Sequence, residues 1–485
     1  MASRTLKVAA LSFGKALTGL VAVISAAVLA RILTKLEYGT YRQTMLAYAF
    51  AAPLLTLALP QALYYFLPGE KERRRGLLWD NLILLTLMGV VFMVFLLFGG
   101  NRLLAWRFKN PDLVESLRII APYPLFMLPL GAVGACLVIQ NRVVTLSLFN
   151  IISRLFMVIG IIVACLVWRN TTAPLVANTL TAAIVFPIGI GLMIWSIPKD
   201  RSAPSLSSMA AMMRYSLPLG LSSMIGTISV QLDKMIVASM CSTEDFAVYT
   251  NGALEIPMVA IVTGSIAAVI LADMRTMIQA ERHADALRLF NLAGIRSATF
   301  LMPIMIYLLI VAEPFMTLIW SDKYALSAVP FRFYLLLVPA RLVYYGSALM
   351  AFGLTKIVLY RSVIGLVLNL LLSILLVRIL GYIGAIVATV FTIYAWAVLF
   401  NLTVLARAWG CRIRDVIPFK EIGVITAISA VPVLPTWWTM HALDGTSDFI
   451  LIPATAVVYG VILLPLLMRF GFVELQQIIQ FFKRS

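Results

Sequence analysis

Residues 77–99 read LLWDNLILLTLMGVVFMVFLLFG, an almost unbroken apolar run. A hydrocarbon core of about 30 Å needs about 20 apolar residues per helix, so this stretch is long enough to cross a bilayer. Comparable runs lie at 8–33, 42–67, 117–140, 143–168, 173–197, 215–240, 246–272, 297–320, 327–352, 357–380, 382–406, 417–441 and 449–470. These segments and their short links predict an all-α polytopic membrane protein of about 14 transmembrane helices, with no room for a separate soluble domain. Composition agrees: 62% of residues are hydrophobic and 12% charged, against roughly 25% charged in soluble proteins.

The formal net charge of +17 would suit a nucleic-acid partner if it were gathered on one soluble face. It is instead distributed as a membrane topology requires. With the N-terminus inside, roughly 23 Lys/Arg fall on one side, about 10 on the other and about 5 within spans. The inner set includes Lys71, Arg73, Arg74 and Arg75, then Lys199, Arg201 and Arg214, then Arg407, Arg412, Arg414 and Lys420. Two outer loops carry Glu244 and Asp245, then Asp444 and Asp448. Both termini are therefore expected in the cytoplasm, and no nucleic-acid role is expected. The first apolar run exceeds a signal-peptide core and is followed at once by a second span, so it reads as an uncleaved helix. Cys136 and Cys165 lie within spans, Cys241 near the outer face and Cys411 in the cytoplasm, with no pairing or metal spacing. His283 and His441 lie on opposite sides of the membrane and read as no ligand pair.

A Pro/Ser-rich link at 198–214 divides the chain. It separates an N-terminal lobe at 1–197 (spans one to six) from a C-terminal lobe at 215–406 (spans seven to twelve). Residues 407–485 hold two further helices and a tail. Each lobe starts with an outward-running helix, so the repeats are parallel, related by an axis along the membrane normal. A short echo supports this: Glu37-Tyr38-Gly39-Thr40-Tyr41 and Asp245-Phe246-Ala247-Val248-Tyr249 stand at equivalent places. The link Arg275–Arg296 reads as an amphipathic helix, with Ile278, Ala286, Leu287 and Leu289 placed for the membrane surface or for fastening the bundle. Val473–Phe482 reads similarly.

Charges inside spans are expensive and usually face a cavity or substrate path. In the seventh span Ser216, Gly220, Ser223, Thr227, Gln231 and Lys234 recur in steps of three and four, a stripe that either packs against a helix or lines water. Asp233 and Lys234 set opposite charges in its outer half; a snorkelling lysine beside its neighbour is the structural alternative. In the first span Ser12, Lys15, Thr18, Gly19, Ala22 and Ser25 share a face. Asn251 and Glu255 stack four apart in the eighth. Arg341, near the middle of the tenth, has Tyr334 and Tyr345 at helical spacing. Arg332 is nine residues away, about 180° around the helix, so Arg341 is the one placed toward a cavity. Arg154, with Ser147 and Asn150 on its face, is a further cation with an equal structural reading. Glu313 before Pro314 marks a helix break, and Asn369 and Ser373 are lumen-facing or helix contacts. Cations outnumber acids, and an Arg/Lys cavity away from water suits phosphate or carboxylate. Asp233 and Glu255 are the groups that could instead couple transport to H+ or Na+.

Four blocks in order resemble one family. LARILTKLEYGTYRQ (Leu29–Gln43), LPQALYYFLP (Leu59–Pro68), SVQLDKMIVASMCSTEDFAVYTNGALEIP (Ser229–Pro257) and AEPFMTLIWSDKYALSAVPFRFYLL (Ala312–Leu336) are similar to segments of polysaccharide transporters of the Wzx-type O-antigen flippase family. That family belongs to the multidrug/oligosaccharidyl-lipid/polysaccharide exporter superfamily. The likeness runs to about the twelfth span; the last two match only in hydropathy. It implies two six-helix lobes in an alternating-access fold and no enzymatic activity. It also implies translocation of undecaprenyl-pyrophosphate-linked repeat units from the cytoplasmic to the periplasmic leaflet of a bacterial inner membrane. The cationic lumen of the family would here be Lys15, Arg154, Lys234 and Arg341, with Gln231, Asn251 and Tyr345 as polar lining. No cofactor is implied. The implied partners are the lipid-linked oligosaccharide, membrane lipids, a polysaccharide polymerase and a chain-length regulator.

Rival functions are a lipid II flippase with a similar cationic demand, a multidrug exporter, and a membrane oligosaccharide polymerase or transferase. An exporter of cations would favour an acid in the first span, where Lys15 stands. A polymerase needs a sizeable outer loop with catalytic groups, and the longest outer link, Gly99–Ser116, is short and lacks His.

Overall fold

The computed structural model describes residues 19–473 apart from 71 and 255; at 222, 223, 257, 258, 260–262, 265–269, 272 and 355 it describes the backbone alone. Among the described residues the regular structure is helical throughout. Nine helices among the described residues are long and apolar enough to cross a membrane, or eleven if each of two bent pairs counts as one span. The bent pairs are Leu113–Ile120 with Tyr123–Ile139, at 49°, and Asp322–Leu335 with Pro339–Ala351, at 45°. The three other expected spans are helical without entering that set: Gly19–Ile32 is short, Leu206–Met240 carries the polar stripe, and Pro257–Gln279 is a helix separate from Thr243–Gly252. The chain is thus a multi-pass membrane protein.

Contacts divide it into two compact units, Met1–Ala247 and Val248–Ser485. The helix Leu206–Met240 packs within the first of these, against helices Lys35–Thr56, Leu59–Gly69 and Arg74–Phe95. The expected division at 198–214 counts spans by repeat, which is a different criterion from contact.

In the first unit, Lys35–Thr56 starts on a capping box. Thr34 Oγ1 accepts from the Glu37 N–H at 3.2 Å, and a Glu37 carboxylate oxygen accepts from the Thr34 N–H at 2.9 Å, so orphan donors of the first turn are satisfied. The helix ends at Leu57 and Ala58, both left-handed with φ 44° and 58°. A new helix, Leu59–Gly69, follows. The buried Leu59 carbonyl, in its first turn, also accepts from the Asn81 side chain at 2.8 Å, which ties the new helix to Arg74–Phe95. The seventh-span helix passes this kink at close range: a Cβ at Gly220 would stand 2.6 Å from the Leu57 carbonyl carbon. Ser216 of the stripe is fully buried. The inner half of the stripe is therefore a helix contact made with small residues, as expected where lipid supplies no hydrophobic drive between helices. The core gathers around Leu59, Leu63, Leu78, Leu85, Cys136 and Met193.

In the second unit, a core built on Met274, Phe290, Leu349, Leu405, Trp409 and Val416 holds the ends of several helices. The link Arg275–Arg296 is not one amphipathic helix. It breaks at 280–282, where Glu281 takes φ 58°, into the end of Pro257–Gln279 and the start of His283–Ile310. Ile278, Leu287 and Leu289 pack on the core and Ala286 is fully buried. The segment's apolar residues thus fasten the bundle. The break expected at Glu313-Pro314 falls at Val311, between His283–Ile310 and Ala312–Trp320. The Val473–Phe482 helix lies outside the described residues except for Val473.

Candidate functional site

Of the residues singled out from the sequence, Lys15 and Glu255 lie outside the described residues. Arg154, Gln231, Asp233 and Lys234 belong to the first unit; Asn251, Arg341 and Tyr345 belong to the second.

Arg154 is half-buried on helix Val143–Trp168 and lies within electrostatic reach of Tyr41 and Tyr123, both buried. Tyr41 Oη accepts from Asn178 Nδ2 at 3.2 Å. Tyr123 meets the ring of Tyr48 edge-on at 4.9 Å. Four helices thus bring a cation, phenols and an amide together inside the unit. Ser147, placed on the same face from the sequence, is buried, while Asn150 is exposed.

Asp233 is only 4% exposed, and its Oδ1 accepts from the Lys234 backbone N–H at 2.8 Å. Gln231 and Lys234 are half-buried, so the outer half of the stripe remains partly open where its inner half is packed.

In the second unit two helices are broken close to each other. One break follows the end of helix Thr243–Gly252; the other runs through the tight turn Pro339–Arg341 to Tyr344. Arg341 sits on that turn, half-buried, and with Tyr334, Leu254 and Ile256 lines a cavity of about 20 Å³, room for roughly one water molecule. Broken helices at membrane depth are tolerated only where the backbone is covered by protein or lines a cavity. Tyr345 and Asn251 are buried beside these breaks in sequence, and Arg332 is exposed.

Sequence reasoning passed over two charged residues. Arg361 is half-buried on helix Thr355–Leu380. Asp80, fully buried, anchors a clasp around the start of Leu206–Met240. Asp80 Oδ2 accepts from Arg73 Nη2 at 3.1 Å and Oδ1 from the Ser205 N–H at 2.7 Å. Arg73 also donates to the Ala203 carbonyl at 2.9 Å. Asp200 accepts from the Arg75 N–H at 2.8 Å, and Ser202 Oγ accepts from the Gly76 N–H at 2.8 Å. The link 198–205 is therefore fastened to the head of the third span.

Partial burial pushes the Asp200 carboxyl up. The Ser202 hydroxyl, the N–H groups of Arg75 and Ser202 and the Arg75 charge outweigh it and hold the carboxyl below its ordinary value of 3.8. A carboxyl whose folded pKa is depressed stabilises the fold above its unfolded pKa and loses that contribution as pH falls through the folded value. Asp200→Asn should thus lower the unfolding midpoint modestly above about pH 4 and match wild type in stronger acid. Thermal unfolding of the two proteins across pH checks this; a difference that persists unchanged into acid counts against it.

Among the described residues no group of three His, Cys, Asp or Glu is placed to hold a metal ion, and all four cysteines are free.

An all-helical multi-pass chain with broken helices and intramembrane cations has the construction of a membrane transporter. The chain matches the family of polysaccharide biosynthesis proteins over residues 28–329 and belongs to that family. Its fold is shared with transporters of the multidrug/oligosaccharidyl-lipid/polysaccharide superfamily. It is similar to the lipid II flippase MurJ in an inward closed conformation, with a TM-score of 0.75, 16% identity, and coverage of 96% of this chain and 98% of that one. A multidrug-resistance MATE family transporter in an inward-facing conformation aligns with a TM-score of 0.62 and 13% identity, over 81% of this chain and 95% of that one. A superfamily transporter from Pyrococcus furiosus, described as having a binding pocket of reversed polarity, aligns at 0.53 and 12% identity over 83% and 95%. A search of curated proteins finds no match in sequence.

Proposed function

We propose that this chain is a flippase that carries undecaprenyl-pyrophosphate-linked oligosaccharide repeat units from the cytoplasmic to the periplasmic leaflet of a bacterial inner membrane. It would act by alternating access for surface polysaccharide assembly, with both termini in the cytoplasm. The observation that carries this reading is the placement of half-buried cations, Arg154, Lys234 and Arg341, inside the spans of a chain that belongs to a polysaccharide biosynthesis family. A diphosphate head with sugars cannot cross hydrocarbon, whereas its polyprenyl tail can stay there. The protein need offer only a polar, cationic path for the head; no bond has to break. Lys15 would extend that path. With the inside negative, moving one negative charge outward is favourable by about 2.3 kcal/mol per 100 mV, so a diphosphate gains roughly 4–5 kcal/mol. An H+ or Na+ gradient acting at Asp233 or Glu255 is the competing source of drive; alanine at either acid that leaves transport and its pH dependence intact removes that acid from consideration. A polysaccharide polymerase and a chain-length regulator are the natural downstream partners.

The likeness of the whole fold to a lipid II flippase favours a second reading, transport of a lipid-linked cell-wall precursor. One experiment separates them. Cells lacking the gene are complemented with wild type, Lys234→Ala or Arg341→Ala, and lipid-linked oligosaccharide is measured both in total and on the periplasmic face by lectin access. The expected result is a high total with a periplasmic fraction reduced about tenfold or more without the protein, and a comparable reduction with either variant. Loss of viability in place of loss of surface glycan assigns the chain to the second reading.

A further inference from the structure

The second unit holds a membrane-embedded cation whose neighbours are neutral. Arg361 Nη1 donates to Asn401 Oδ1 at 3.4 Å and Nη2 to Ser362 Oγ at 3.4 Å. Both contacts are long, and a guanidinium carries five N–H donors in a fixed fork. Among the described residues no carboxylate forms an ion pair with it. A cation at membrane depth with neutral partners is costly, which makes a ligand the first explanation to weigh.

Snorkelling does not account for it. Side chains on a helix tilt toward its N-terminus, and Arg361 lies about 9 Å into Thr355–Leu380. A snorkelling arginine would reach back toward Thr355. Its guanidinium goes instead to Asn401, which is 2% exposed and lies about 12 Å from the Trp409 end of its helix. The site is also built. The Arg361 carbonyl accepts from Trp396 Nε1 at 3.0 Å, although a carbonyl inside a helix already has a backbone partner. Trp396 lies in the π-helical segment Thr392–Val398, a local widening frequent at functional sites. Gly365 leaves the space the indole occupies, since a Cβ there would stand 3.3 Å from it. Tyr344, half exposed, is within electrostatic reach of the guanidinium.

We propose that Arg361, backed by Asn401 and Trp396, binds the phosphate group of a membrane lipid. The fork of donors matches phosphate oxygens, and in a bilayer the available phosphate is a lipid's. Two lipids could bring it: the carried polyprenyl diphosphate, in which case the proposal rests on the flippase reading, or a resident anionic phospholipid.

The test uses the full-length protein in phosphatidylcholine nanodiscs, with affinities measured for undecaprenyl diphosphate, undecaprenol and phosphatidylglycerol. Arg361→Gln is expected to weaken undecaprenyl diphosphate about tenfold or more and to leave undecaprenol unchanged. An equal loss for phosphatidylglycerol supports the site and assigns it to a resident lipid. Unchanged affinity for both phosphate lipids overturns the proposal. A wild-type protein that binds the diphosphate no better than undecaprenol overturns the flippase reading, and the phosphatidylglycerol arm then decides the site alone. Should Arg361→Gln not fold, Arg361→Lys decides: a loss of about threefold or more supports the fork, and wild-type affinity overturns it.

Discussion

Asp80→Ala is expected to destabilise the folded protein by about 3–5 kcal/mol, seen as a lower unfolding midpoint in detergent and less protein recovered from membranes. Asp80 is fully buried and bound on both oxygens, to Arg73 and to the Ser205 N–H. Alanine removes both acceptors, so a half-buried N–H loses its partner and a guanidinium loses its counter-charge. Arg73 remains 28% exposed and keeps the Ala203 carbonyl. Water therefore recovers part of the loss, and the lower end of the range is the better expectation. Asp80→Asn keeps an acceptor for Ser205 without the charge and should lose about half as much. Arg73→Ala and the double variant close a cycle; coupling under about 0.5 kcal/mol would show that the pair acts separately. A midpoint for Asp80→Ala close to wild type would mean that the clasp does not hold the folded state. Transport should suffer beyond the loss of protein amount, because Leu206–Met240 starts immediately after Ser205 and carries Asp233 and Lys234.

The spans were legible because lipid leaves a chain little choice: backbone groups must be satisfied within each helix, and the length of an apolar run measures the crossing. Breaks within spans were less so. The left-handed pair Leu57 and Ala58 carries no glycine, and the turn at Pro339–Arg341 falls inside a segment whose length reads as one span. The two charges that were missed share one cause. Asp80 and Arg361 each stand within about two turns of a helix start, where a charged residue reads as an interfacial flank. Only the fold reveals that Ser205 returns to cover one and that Asn401 draws the other inward. The polar stripe of the seventh span was correctly open between packing and lining water, since the same small residues serve both; packing governs Ser216 and Gly220.

The blocks that resemble the polysaccharide transporters make contacts inside each unit. In the first unit Asn110 Nδ2 donates to Thr40 Oγ1 at 2.9 Å and Gln43 Oε1 at 2.7 Å, so the first block anchors a distant loop. In the second, Ser327 Oγ donates to the Val248 carbonyl at 2.9 Å, joining two blocks directly. These contacts are geometric, so the blocks bear on the fold more directly than on the groups that touch a substrate.

Gly39, in the first block, gives the most demanding test of that view. It sits inside helix Lys35–Thr56, where glycine is about 1 kcal/mol worse than alanine, so propensity alone favours replacement. Packing forbids it: a Cβ at Gly39 would lie 2.4 Å from the Thr243 carbonyl oxygen and 2.7 Å from the Thr243 methyl. A methyl can rotate away, but a carbonyl at the start of helix Thr243–Gly252 moves only with its backbone. Gly39→Ala is therefore expected to be destabilising by about 1–3 kcal/mol despite its better propensity, and Gly39→Val by more. Adding Thr243→Ser removes the methyl contact and leaves the carbonyl, so it should restore only part of the loss; full restoration would place the clash at the methyl alone. Gly134→Ala is the matched control, since nothing lies within 4 Å of a Cβ there. It should be neutral or gain up to about 1 kcal/mol. If both glycines respond alike in thermal unfolding, helix propensity governs them, and the first block does not owe its glycine to this contact.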